Sequence, residues 1–144
     1  MSYPVLRPAR IDDLPAFIRF SISAGYGVST LPRIPKILET KLLKSENCFK
    51  ESLDTPSYEY YLFSLEWENN VIGTSGIVSR IGMTKPFYAY HLIYEPKRCT
   101  RMGVDTAVPV LHFLEARKKP AEIGSLFLEK KYRGQEFGKL LSFG

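Results

Sequence analysis

Glu59-Tyr60-Tyr61-Leu62-Phe63-Ser64-Leu65-Glu66 and, beyond Asn69-Asn70, Val71-Ile72-Gly73-Thr74-Ser75-Gly76-Ile77-Val78-Ser79-Arg80 decide the fold class. The first run is rich in tyrosine, phenylalanine and leucine and the second in β-branched residues, the side chains that suit a pleated, half-buried surface. Two such runs on either side of an asparagine pair predict an antiparallel hairpin that turns at Asn69-Asn70.

Toward the N-terminus, Tyr3 to Arg7 alternates apolar and polar ahead of Pro8 and predicts a short first strand. Asp12 or Asp13 is placed to cap a helix with Pro15 in its first turn. Leu14, Phe17, Ile18, Ser21 and Ile22 form its inner face and Gly25 its stop. A loop over Gly25 to Pro32 leads to a second amphipathic helix marked by Ile34, Ile37, Leu38 and Leu42 and running to about Glu46.

Toward the C-terminus, Pro86 to Tyr94 reads as a strand, and Val108 to Leu114 as a strand or a helix, because short apolar runs do not distinguish the two. Ile123 to Leu128 has strand length and precedes a turn at Tyr132-Arg133-Gly134 and a helix that starts at Gln135 or Glu136. This order predicts an α/β (α+β) domain, a mixed, mainly antiparallel sheet flanked by helices, over residues 1–144. No repeat or low-complexity tract marks a second domain.

With 144 residues, 44% of them hydrophobic, the chain has the size of one domain with a sizeable core. No apolar run approaches the roughly 20 residues that span a bilayer. The N-terminal segment Met1 to Arg7 lacks the pattern of a secretory signal. A soluble, cytoplasmic protein without a membrane partner is therefore expected. Cys48 and Cys99 stand far apart with no Cys-x-x-Cys or histidine pattern, so they predict reduced structural cysteines, with no disulfide framework and no metal site.

The net charge of +5 suits a nucleic acid, an acidic membrane or a polyanionic small molecule. Arg117, Lys118, Lys119, Lys130, Lys131, Arg133 and Lys139 crowd into the last quarter, where a solvated face is the plainer reading. Tyr58, Tyr60, Tyr61, Phe63 and Trp67 read as sheet packing rather than a base-stacking platform, so no nucleic-acid partner is expected. Glu66 and Glu68 read as solvated residues near the hairpin turn. His91 and His112 lie in apolar runs and read as structural histidines. Tyr26 and Ser29 belong either to a substrate loop or to a plain connector between helices.

The segment with chemical promise runs from Ser125 to Ser142. A strand, Ser125-Leu126-Phe127-Leu128, feeds the turn Lys131-Tyr132-Arg133-Gly134-Gln135 and a helix opening Glu136-Phe137-Gly138-Lys139. Unpaired N–H groups at a helix start suit a pyrophosphate, and glycines let the backbone come close. The unit resembles the acyl-CoA signature of the GNAT acetyltransferase superfamily through Arg133 and Gly138, with Glu136 where that signature has its middle glycine. A carboxylate aimed at a phosphate repels it, whereas one turned outward does not.

Across nearly its whole length the chain resembles the arginine N-succinyltransferase family. The resemblance rests on Leu6-Arg7-Pro8 with Asp13-Leu14, Gly27-Val28-Ser29-Thr30-Leu31-Pro32, Ser45-Glu46 with Phe49, and Tyr61-Leu62-Phe63 with Leu65-Glu66. Gly73 to Ile77, Pro86-Phe87-Tyr88-Ala89-Tyr90, Ser125 to Leu128, Tyr132-Arg133 and Leu140-Leu141-Ser142 complete it. It implies a GNAT-like fold and transfer of a succinyl group from succinyl-CoA to the α-amino group of L-arginine, a step of arginine catabolism. It implies that Leu126, Phe127, Leu128, Arg133, Gly134, Gln135, Gly138 and Lys139 bind succinyl-CoA or CoA, a co-substrate rather than a prosthetic group.

By the same resemblance the family's catalytic histidine lies beyond the position of Gly144, and this chain corresponds to the family's N-terminal part, ending after the pyrophosphate helix begins. Pro96-Lys97-Arg98-Cys99 and Glu115-Ala116-Arg117-Lys118-Lys119 depart from the family pattern. No catalytic residue is assigned within the chain. A dimer, or pairing with a second chain, is expected from a sheet left with an open edge. The alternatives are a catalytically inactive assembly subunit that at most binds CoA, and a basic nucleic-acid-binding module.

Overall fold

The computed structural model describes residues 3–51, 54, 55, 57–83, 86–115 and 120–143. The chain divides into two compact units, one made of Met1–Arg80 and Pro120–Gly144, the other of Ile81–Lys119.

The first unit holds a four-stranded sheet. Its strands are β1 (Val5–Pro8), β2 (Tyr60–Trp67), β3 (Asn70–Val78) and β6 (Glu122–Leu128), in the order β1-β2-β3-β6. The expected α/β architecture with a mainly antiparallel sheet is borne out, and every pairing in this sheet is antiparallel. Helices α1 (Leu14–Ala24) and α2 (Pro35–Lys50) pack on one face, where Phe17, Phe20, Leu38 and Leu42 meet Leu62 and Phe127. Helix α3 (Phe137–Phe143) packs on the other, where Phe137 and Leu141 meet Leu65 and Ile72. Covering both faces explains why Ile72 to Gly76 of β3 are buried without alternation.

Several expectations shift by a residue or a turn. The hairpin turns at Glu68-Asn69, not Asn69-Asn70: Trp67 pairs with Asn70, and the two turn residues have φ of 49° and 60°. Positive φ at both central positions is the type I′ geometry that matches strand twist, and asparagine tolerates it well. Helix α2 continues to Lys50 rather than ending near Glu46, burying Ser45 and Cys48. On α1 Phe17 and Ser21 face inward as expected, but Phe20 joins them in place of Ile22, which is 62% exposed. The helix stops at Gly25, whose φ of 66° needs a residue without Cβ.

Asp13 precedes α1 as expected but makes no side-chain cap on it. Its carboxylate accepts the Arg10 N–H at 2.9 Å, the Ser64 hydroxyl at 2.8 Å and two guanidinium N–H groups of Arg7 at 2.8 and 2.9 Å. Glu66, expected to be solvated, accepts the Arg7 Nε–H at 2.7 Å. Burial works to raise the Asp13 pKa, but the hydrogen bonds from Arg7, Arg10 and Ser64 outweigh it and hold the carboxyl below its usual range. The cluster fastens the start of α1 to β1 and β2.

The second unit is a two-stranded ribbon, β4 (Tyr88–Cys99) and β5 (Val104–Glu115), antiparallel from Tyr88↔Glu115 to Cys99↔Val104. The segment read as a strand or a helix is a strand, and both strands outrun their expected limits at Tyr94 and Val108. The apolar burial expected of His91 and His112 is not found: both are exposed, and His112 lies 3.2 Å from Glu95. Cys99 is exposed rather than structural, while Cys48 is buried, and both are free thiols. No helix among the described residues is long and apolar enough to cross a membrane.

Candidate functional site

Strand β6 is paired to β3 with a defect that shapes the site. Thr74 pairs with Phe127 and Gly76 with Gly124, so Ser75 alone faces both Ser125 and Leu126. This is a β-bulge, and the unfavourable backbone sits on Ser125, at φ 51°. A non-glycine residue there costs on the order of 1–2 kcal/mol and persists only if its surroundings hold it.

The surroundings do so from three sides. The Ser125 N–H donates to the Thr30 hydroxyl at 3.0 Å, and the Ser125 and Tyr60 hydroxyls lie 3.0 Å apart. Lys41 on α2 donates from Nζ to the Thr30 carbonyl at 2.7 Å and lies 5.4 Å from the centre of the Tyr60 ring. Burial pushes the Lys41 ammonium down and, as the largest effect on it, the Tyr60 phenol up. The loop after α1 is thus clamped to the bulge, and Leu31, 2% exposed, anchors it in the core.

The bulge re-aims the next residues: Leu126 is 45% exposed while Phe127 returns to the core at 6%. Beside Leu126 opens a cleft of about 510 Å³, lined by Ser23, Ala24 and Val28 on one side and by Leu126, Phe127, Leu128, Arg133, Gly134, Gly138 and Leu141 on the other. The volume is that of a small-molecule site.

Six of the eight residues expected to bind CoA therefore line one cleft. Arg133 is fixed there by donating from Nε to the Leu128 carbonyl at 2.9 Å, with its guanidinium 5.7 Å from the Phe127 ring centre. Gly134 has φ 79°, a value that lets the chain turn out of the short 3-10 helix Lys130–Tyr132. Gly138 has open space where a Cβ would stand. Gln135 and Lys139 do not line the cleft: Gln135 donates to the Lys131 carbonyl at 3.3 Å, and Lys139 pairs with Glu136 at 2.6 Å.

Helix α3 starts at Phe137, one residue after Glu136 and two after Gln135, its expected starts, because Glu136 has φ 66°. The Glu136 side chain is 78% exposed and held by Lys139, so the carboxylate points to solvent rather than into the cleft. Lys130 and Lys131 are exposed and line, with Glu129 and Arg133, a smaller depression also touched by Ser23 and Phe127. Arg117, Lys118 and Lys119, the rest of the expected basic cluster, lie outside the described residues.

Sequence reasoning overlooked the wall made by Ser23, Ala24 and Val28 and the clamp of Thr30, Lys41 and Tyr60. One signal for the clamp was present. Lys41 falls between Leu38, Leu42 and Ser45 at helical spacing, on the buried stripe, where a cation needs a partner. The aromatic residues behave as sheet packing: Phe49 meets Tyr61 and Phe63 edge-on, and Trp67 packs with Tyr132 and Phe137. Tyr26 is 93% exposed beneath the Arg33 guanidinium. Among the described residues no three His, Cys, Asp or Glu side chains stand together as metal ligands would.

Comparison with known proteins gives a consistent pattern. The family model of the arginine N-succinyltransferase beta subunit matches residues 4–144. The arginine N-succinyltransferase subunit beta of Pseudomonas aeruginosa is 30% identical over 139 residues, 96% of this chain and 41% of the relative. The arginine N-succinyltransferase of Yersinia pestis is 28% identical over 139 residues, 95% of this chain and 39% of the relative. A solved structure, the arginine/ornithine succinyltransferase subunit AI from Pseudomonas aeruginosa, superposes with a TM-score of 0.81 at 25% identity, over 99% of this chain and 44% of that one. The chain spans about two fifths of the length of the curated relatives it matches.

Proposed function

Because the chain belongs to the arginine N-succinyltransferase family, a family of acyltransferases, we propose that the cleft between α1 and β6 binds the CoA portion of succinyl-CoA. The observation that carries this reading is that Leu126, Phe127, Leu128, Arg133, Gly134 and Gly138, chosen from sequence, share one cleft. In this reading the bulge frees backbone polar groups of β6 to bond the pantetheine arm, and Arg133, with Lys130 and Lys131 nearby, offsets the phosphate charge.

The reaction proposed for the complete enzyme is acyl transfer. The neutral α-amino nitrogen of L-arginine attacks the thioester carbonyl carbon and forms the amide as the C–S bond breaks; the nitrogen gives up one proton to solvent or a base, and the departing thiolate takes one up. By the family resemblance that proton comes from a histidine with no counterpart among these residues. The 144 residues therefore supply a binding wall, and a second chain or segment supplies the proton donor. A thioester co-substrate suits the cytoplasmic location expected from the sequence.

Isothermal titration of the chain with CoA and succinyl-CoA tests the cleft, with arginine-dependent thiol release measured in parallel. The expected result is CoA binding that weakens in Arg133→Ala, without thiol release from the chain alone. Absence of CoA binding by the folded chain would remove the proposal. Thiol release without another chain would show that the proton donor lies within these residues.

A further inference from the structure

The ribbon of β4 and β5 presents an apolar face that carries a pattern of its own. Along one side stand Tyr88, Tyr90, Leu92 and Tyr94, opposite Glu115, Phe113, Leu111 and Pro109. Tyr88, Tyr90, Leu92, Tyr94, Leu111 and Phe113 are each between 50% and 66% exposed. The other side carries Lys97, Glu95 and both histidines, His91 and His112, with Glu95 bonded to both Lys97 and His112. An isolated two-stranded ribbon is marginal in water, so such a face calls for a cover.

We propose that a second copy of this chain provides that cover, ribbon against ribbon about a two-fold axis. Three features select a copy of the same chain. The first is area. Aromatic side chains offer about 150–250 Å² each, so four aromatics and two leucines at this exposure present on the order of 700 Å², near the roughly 800 Å² that each partner gives to a specific interface.

The second is symmetry. The rows read Tyr90/Phe113, Leu92/Leu111, Tyr94/Pro109, nearly the same in both directions from the central leucines. A two-fold axis through the Leu92/Leu111 row sets leucines on leucines and lays each Tyr90/Phe113 row on the other copy's Tyr94/Pro109 row. A self-complementary patch of this kind is what an isologous contact requires. The third is charge. The chain carries +5 overall, which keeps copies apart, yet this face is uncharged between Glu115 at its base and the Arg98–Asp105 pair near its tip. Like charges do not meet where the copies would touch.

Sedimentation velocity on the 144-residue chain at micromolar concentration is the test. It should give twice the mass of the chain, and Leu92→Asp, which sets two carboxylates beside the axis, should raise the dimer dissociation constant by roughly thirtyfold or more, as loss of a central hot-spot residue does. A second measurement covers the case in which that variant unfolds the ribbon. In a Cys99→Ser background, Leu92→Cys should be joined to its copy by a short bismaleimide far more than His91→Cys, which lies on the opposite face. A wild-type chain that stays monomeric, whatever other protein it later binds, overturns the proposal. So does a dimer that survives Leu92→Asp or that cross-links equally from His91→Cys. None of these readouts involves CoA, so their outcome is independent of the cleft.

Discussion

The sheet of the first unit and the ribbon of the second are built from the same antiparallel ladder and are buried to opposite degrees. In β3 the run Ile72 to Gly76 is inaccessible, whereas no described residue of β4 or β5 is buried. Backbone pairing therefore does not distinguish them. Cover does: α1 and α2 close one face of the sheet and α3 closes part of the other, and burial of apolar surface, more than the exchange of water for strand partners, is what stabilises a fold. The comparison predicts that substitutions matter most where cover is fastened to the sheet, and least along the ribbon of a dilute chain.

The largest effect should follow from Asp13→Asn. This keeps the shape but removes the charge that ties Arg7, the Arg10 N–H and the Ser64 hydroxyl together. Removing one partner of a largely buried ion pair costs about 3 kcal/mol, read as a lower urea midpoint with an unchanged slope. The pH dependence follows from the sign of the shift. The Asp13 pKa is lowered in the folded state, so its contribution is present above the unfolded value and is lost as pH falls through the folded one. Between about pH 5 and about pH 3 the wild type should lose stability more steeply than the variant. Equal slopes would show that Asp13 is not what fastens the helices.

How much of this was legible beforehand depended on whether local pattern or distant contact decides the outcome. The hairpin, both long helices and the final strand announce themselves through periodicity and β-branched content, which act within a few residues. The Glu68-Asn69 turn was misplaced by one because register is set along the whole ladder, including a bulge beside Leu65, and not by the asparagine pair alone. Phe20 rather than Ile22 faces inward because the sheet, absent from a helical-wheel argument, chooses the face. The cleft's β6 wall could be read because it is one continuous segment. Its α1 wall could not, since Ser23, Ala24 and Val28 lie about a hundred residues from it in sequence. The bulge that shapes it hides in an ordinary Gly-Ser-Leu run.

Gly73→Ala should have the next largest effect, because it tests the other cover. A Cβ at Gly73 would stand 2.8 Å from the Phe127 carbonyl oxygen and 3.1 Å from a Cδ1 methyl of each of Leu128 and Leu141. Backbone cannot yield as a flexible side chain can, so β6 and α3 must shift together, at about 2 kcal/mol. Faster amide exchange in β6 and α3 should accompany the loss. Val108→Ala on the ribbon, measured well below any dimer concentration, should stay within about 0.5 kcal/mol. If the two substitutions cost the same, burial is not what separates the two regions.

An effect smaller than that at Gly73, and of opposite sign, is expected at the start of α3, where cover and cleft meet. Glu136 holds φ at 66°, a conformation that strains a residue with a Cβ, and among the described residues its carboxylate is engaged by the exposed Lys139 alone. An exposed pair of this kind contributes little. Glu136→Gly should therefore stabilise the chain by up to about 1 kcal/mol, since the relief of strain outweighs the added freedom of the unfolded glycine. The same change removes a negative charge from the rim of the proposed phosphate site and frees the Lys139 ammonium. Titration should show tighter CoA binding, with the gain shrinking as salt screens the rim. A chain that is more stable but binds CoA no better would separate the two roles of this turn: α3 would then be a lid on the sheet whose backbone strain has nothing to do with the ligand. Weaker binding would mean that the Glu136–Lys139 pair itself shapes the cleft, and that the departure from the glycine signature is compensated rather than merely tolerated.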